Sequence, residues 1–148
     1  MKKLLIEPPT AFILTFIFEI ISHLYFPIAK IIPFEFRYLG LVVIFLALLL
    51  SAWQFFTMNG KTSIPYGNKP RMLITSGPFR FTRNAFYLSI ILISLGIAVY
   101  LTSLSSFIVV VIEFFIFDNY FIPQEEKILE KTLGKSYLNY KEKVHRWI

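Results

Sequence analysis

Cysteine is missing from this chain of 148 residues. That absence excludes disulfides, thiolate metal centres and cysteine nucleophiles. Charge is scarce as well. Soluble domains carry about 25% charged residues, whereas here Asp, Glu, Lys and Arg make up 16% and are clustered. Acids are the scarcer sign, 9 Asp and Glu against 15 Lys and Arg, and none lies between Asn59 and Arg83. Internal repeats and low-complexity tracts are absent. No cleavable signal peptide is expected, because the run after Met1-Lys2-Lys3 lacks a small-residue cleavage site and holds Glu19 and His23.

What is present is hydrocarbon. The chain is 56% hydrophobic and 18% aromatic, which points to an integral membrane protein. Four apolar segments, at about 10–28, 38–58, 85–101 and 104–122, each approach the roughly 20 residues a spanning helix needs. The last two are separated by Thr102 and Ser103 alone, so they predict a tight helical hairpin with Thr102, Ser103, Ser105 and Ser106 at its tip. The expected fold is all-α, a single membrane-embedded domain over 1–148 made of four transmembrane helices. A connector (59–84) and a C-terminal tail (123–148) complete it.

The cations set an orientation. Lys61, Lys69, Arg71, Arg80 and Arg83 fall in the connector, and Lys127, Lys131, Lys135, Lys141, Lys143 and Arg146 in the tail. The turn between the first two helices holds only Lys30 and Arg37. The positive-inside bias therefore predicts a multi-pass protein with both termini and the connector cytoplasmic. The basic excess reads as topology and lipid-headgroup contact, with no nucleic-acid partner. In the tail, Leu129, Leu133, Tyr137, Tyr140, Val144 and Trp147 recur every three or four residues among lysines. This predicts a cytoplasmic amphipathic helix, interrupted at Gly134.

The longest polar break is Arg71 to Tyr87, RMLITSGPFRFTRNAFY. Thr75, Ser76, Gly77 and Pro78 are turn formers, Arg80 and Arg83 add two cations, and Asn84 stands at an expected helix N-cap. A hairpin after Asn84 returns the chain to the same membrane face near Glu125, so residues about 40 apart in sequence should meet. Glu19 and His23, one helical turn apart in the first apolar segment, are either a functional intramembrane pair or a pair that satisfies itself. The bland reading of Arg80 and Arg83 is a positive helix-end anchor, and that of Glu125 and Glu126 an acidic helix start.

Two blocks, LITSGPFRFTRNAFYLS and EEKILEKTLGKSYLNYKEKVHRW, resemble the isoprenylcysteine carboxyl methyltransferase family and its bacterial, phospholipid-methyltransferase-like branch. The matching positions are Thr75, Gly77, Pro78 and Phe79, then Arg83 to Tyr87, then Glu125, Glu126, Leu133, Gly134, Tyr137, Tyr140 and Arg146. The resemblance implies a bacterial inner-membrane enzyme that uses S-adenosylmethionine, with no metal. It methylates a small apolar or lipid-like acceptor from the bilayer, through a carboxyl, a thiol or a lipid amine. It further implies cofactor contacts from Leu73, Ile74, Gly77, Phe79, Asn84, Ala85, Phe86, Tyr87, Glu125, Glu126 and Tyr137, with Glu125 and Arg83 as the catalytic candidates. Ala85 replaces the family's Pro, Asn84 its common His and Phe79 its Tyr; each change keeps a compatible shape, but an imidazole is lost. Two rivals stay open: an NADPH-dependent membrane reductase of related fold, and a non-catalytic membrane protein with a decayed motif.

Overall fold

The computed structural model describes residues 8–58 and 72–148. The basic start and most of the connector, including Lys61, Lys69, Arg71 and the stretch from Thr62 to Pro65, lie outside the described residues.

The described residues are all-helical, with no strand. The helices are α1 (Pro8–Tyr25), α2 (Leu39–Met58), α3 (Ala85–Leu101), α4 (Leu104–Ile116), α5 (Ile122–Leu133) and α6 (Lys135–Lys143). Short 3-10 turns cover Phe34–Phe36 and Gly77–Arg80, and a π-helical turn covers Phe117–Phe121. Two continuous helical stretches, Phe34–Met58 and Leu104–Leu133, are long and apolar enough to cross a membrane, and α3 and Phe12–Tyr25 are shorter apolar helices. Their outward faces are hydrocarbon: Phe18, Leu46, Phe56 and Phe115 are all more than half exposed. In water such surface would be costly; against lipid tails it is not.

The fourth apolar helix differs from its sequence expectation at one end. Instead of stopping at Ile122 it continues through the π turn into α5, as far as Leu133. Pro123 explains the form of the join. It has no amide for the α-helical bond to the Asn119 carbonyl, and the wider turn just before it absorbs the mismatch. Gly134, at φ +55°, then ends α5 and separates it from α6.

Contacts divide the chain into two compact units, Met1–Ala47 with Ile90–Ile116, and Leu48–Ser89 with Phe117–Ile148. In the first, α1 packs on α4. There α2 and α3 approach backbone to backbone: a Cβ on Gly40 would meet the Gly96 carbonyl oxygen, and the Tyr100 nitrogen at 2.7 Å. The hairpin tip is tight, as the two-residue spacing implied. Thr102 (φ +58°) turns the chain, and the backbone of Ala29 and Ile31 bonds to Leu104 and Thr102 at 2.9 and 3.0 Å. Thr102 and Ser103 are consequently buried.

In the second unit the 3-10 turn starts at Gly77, whose φ of +60° is left-handed. A Cβ there would also strike the Thr57 side chain of α2. Gly77→Ala should therefore cost at least about 1–2 kcal/mol from the backbone alone, read as a lower thermal midpoint with unchanged helical content. Unaltered stability would show that the turn relaxes freely.

Candidate active site

Both motif blocks fall in the second unit, and the helix ends bring them together. α3 begins at Ala85, which is fully buried. Asn84 does hold the N-cap position, since its carbonyl accepts from the Leu88 amide at 2.9 Å. Its side chain is used elsewhere, however, donating from Nδ2 to the Arg146 carbonyl at 2.9 Å. The expected capping role gives way because the chain's C-terminal segment lies alongside. Thr82, which the sequence did not single out, accepts from the Asn84 amide at 3.1 Å and donates to the Arg146 carbonyl at 3.0 Å. The Arg83 amide bonds to the His145 carbonyl at 3.1 Å. Residues 144–146 thus form a strap bonded along 82–84.

Ion pairs hold the strap from its other side. Glu126, on α5, is 6% exposed and meets three cations: Arg83 at 2.8 Å, Arg146 at 3.1 Å and Lys141 at 3.3 Å. Arg83 is committed further, with Nη1 donating to the Tyr137 hydroxyl at 3.2 Å and Nε to the Val144 carbonyl at 2.9 Å. Asp118 of the π turn accepts from Arg146 Nη1 and from Trp147 Nε1, both at 3.0 Å. Although burial works against the Glu126 charge, the Arg146 hydrogen bonds and the surrounding cations hold its carboxyl below the usual range. Glu130 pairs with Lys141 at 2.8 Å.

Glu125 has a different environment. Among the described residues it forms no ion pair; the Tyr87 hydroxyl donates to its Oε2 at 3.0 Å. Burial pushes its carboxyl up to about 7, and the neighbouring Glu126 charge adds to this, while the Tyr87 hydrogen bond works against it. Tyr87 is 3% exposed, with its ring 5.0 Å from that of Phe117, which in turn sits 5.9 Å from Phe121. A carboxylate with an aromatic wall and no cation of its own is therefore poised beside the start of α3. Adjacent acids have opposite surroundings.

The remaining sequence candidates are spread around these two clusters. Phe79 accepts at its carbonyl from the Tyr140 hydroxyl at 2.6 Å, and burial keeps that phenol protonated by pushing it up to about 12. Tyr140 stacks on Tyr137 at 6.3 Å. Phe86 is 40% exposed and touches Tyr87 edge-on at 5.7 Å. Ile74 is buried and Leu73 half-buried, both before the Gly77 turn and without a bond to either cluster. The strap carbonyls could not be read in advance, because backbone acceptors leave no residue-type signal.

The structure thus pairs Arg83 with Glu126 and Tyr87 with Glu125 across 43 and 38 residues. A family model for phospholipid methyltransferases matches residues 36–136, a span that contains both pairs. No curated protein and no solved structure matches. With about two thirds of its length under that model, the chain belongs to the phospholipid methyltransferase family.

Proposed function

We propose that this protein is an S-adenosylmethionine-dependent methyltransferase acting on an apolar acceptor that reaches it from the bilayer. One observation carries the reading beyond the family match. Glu125 is a partly buried acid, oriented by Tyr87, with no cation of the described chain beside it. Such a group suits a cationic ligand, and a methionine ammonium supplies the matching charge. Tyr87, Phe117 and Phe121 offer an aromatic wall for an adenine ring, and the first turn of α3 can receive a carboxylate. S-adenosylmethionine would bring an electrophilic sulfonium methyl to this place.

In this reading the chain's own groups position more than they react, since methyl displacement depends on alignment. Glu125 holds the cofactor. Arg83, Glu126 and Tyr137 keep the strap and the α3 start in register, and Arg83, fully engaged, acts through that geometry. Leu73, Ile74, Gly77, Phe79, Asn84, Ala85 and Phe86 shape the remaining wall. Among carboxyl, thiol and lipid-amine acceptors the family match favours the lipid amine, which must lose a proton to attack.

The test is a titration of purified protein in detergent with S-adenosylmethionine, S-adenosylhomocysteine and NADPH. Binding of the first two and not the third is expected. Binding of NADPH alone would favour the reductase, and binding of none the non-catalytic reading.

The same proposal includes four spans in a bacterial inner membrane with both termini cytoplasmic. Lys30 and Lys135 are exposed and fall at opposite ends of the scheme. Because the chain has no cysteine, single cysteines at these positions should label cleanly from opposite faces of sealed vesicles. Labelling from one face would remove the four-span topology.

A further inference from the structure

Two carboxylates are enclosed in the first unit with no cation among the described residues to meet them. Glu19 of α1 and Glu113 of α4 are both 0% exposed. Thr15, one turn before Glu19, donates to Glu113 Oε1 at 2.7 Å. Glu113 Oε2 and both oxygens of Glu19 have no partner among the described residues. From α3, Ser94 is 1% exposed and its hydroxyl faces Glu113. The donors are all oxygens, and three helices supply them.

Local bases do not resolve the imbalance. In α1, α3 and α4 the sole basic side chain is His23. Its Nδ1 has no partner and Glu19 accepts nothing from it, so the self-satisfying pair expected from the sequence does not form. Arg37 is stacked at 4.7 and 4.1 Å on the rings of Phe34 and Tyr100, the other titratable group of α3 in this unit. Lys30 is exposed, and α2 carries no titratable side chain.

We propose that Glu19 and Glu113 form a proton-binding site within the bundle, at least one of them being a neutral carboxylic acid at neutral pH. A proton taken from solvent converts a carboxylate into a carboxyl group, which removes the charge and gives the two acids a donor of their own. Apolar surroundings push an unpaired acid toward its neutral form, and an ionisable group inside a membrane helix is costly unless it is used. A hard cation could serve the same oxygens. Among the described residues, however, no third acid or histidine joins them as a metal group, and two fully enclosed carboxyls favour the smallest occupant. The proton is what lets α1 pack on α4. The site is independent of methyl transfer.

Infrared spectroscopy of purified protein at about pH 7.5, in a sodium-free choline buffer, tests this. The Glu125→Gln background removes the acid of the second unit that has no ion pair. A carboxylic-acid carbonyl stretch is expected to persist there, far above the ordinary carboxylate range near pH 4.3, and to diminish in Glu19→Gln or Glu113→Gln. Both substitutions mimic the protonated form and should fold. If they do not, pH titration of the band in the background protein decides alone. Absence of the band at neutral pH, or its undiminished survival in both variants, overturns the proposal. Loss of the band on adding Na⁺, with a rise in thermal midpoint, would make this a metal-cation site instead.

Discussion

Glu126→Gln should lower stability by about 3–5 kcal/mol, the cost of leaving a buried charge without its partner. Arg83 and Glu126 are only 9% and 8% exposed at their side chains, so water cannot replace what the substitution removes. The loss also takes one of two carboxylate partners from Arg146 and from Lys141, leaving them Asp118 and Glu130, and so loosens the grip on the strap. A thermal midpoint lower by roughly 6–20 °C follows for a chain of this size. Glu142→Gln, at an exposed position, should stay within about 0.5 kcal/mol of the parent. A Glu126→Gln midpoint within two degrees of the parent would show that the network is ornamental. Acid should reproduce the defect. A carboxyl held below its usual range contributes stability at pH values above that range, and the contribution disappears as pH falls through the lowered value.

Glu125→Gln should behave in the opposite manner, with stability unharmed and ligand binding lost. A charge-assisted hydrogen bond is worth about 1.5–3 kcal/mol, so affinity for S-adenosylmethionine should fall roughly ten- to a hundredfold. The pH dependence carries the same message. Because burial raises Glu125 to about 7, its charged form is disfavoured in the folded protein, and a stability penalty develops as pH rises from the ordinary carboxylate range to about 7. A cationic ligand requires that charged form. Affinity should therefore weaken on the order of tenfold between about pH 7 and pH 5.5, with proton release on binding. In Glu125→Gln the profile should be flat. An unchanged affinity in the variant, or a wild-type profile as flat, would take Glu125 out of the site.

Much of this could be read before any coordinates. Long apolar runs mark helices because only helices satisfy their own backbone in hydrocarbon, and α3 starts where Asn84 and Ala85 indicate. The meeting of Arg83 with Glu126 and of Tyr87 with Glu125 followed from a hairpin that returns the chain to its starting face. Other features were hidden in principle. Residue type alone could not tell that Glu125 lacks a cation while its neighbour has three; that depends on which side of α5 each faces. The fourth apolar segment was expected to end at Ile122, yet the π turn lets the helix run on through Pro123. The hairpin was legible from its two-residue spacing, but not that Ala29–Ile31 covers Thr102 and Ser103. Glu19 and His23 had the spacing for mutual satisfaction, and only packing shows that Glu19 accepts nothing from His23.

Methyl transfer itself is the most direct test. S-adenosylmethionine labelled at its methyl group, incubated with the protein in vesicles of bacterial lipid, should transfer label to the lipid phase. Omission of the protein should abolish transfer, and Glu125→Gln should slow it at subsaturating cofactor. Label that stays in the aqueous phase, with wild-type protein shown to bind the cofactor, would contradict a lipid acceptor. Failure to transfer label to any apolar acceptor, whether carboxyl, thiol or amine, would contradict the proposed activity as a whole.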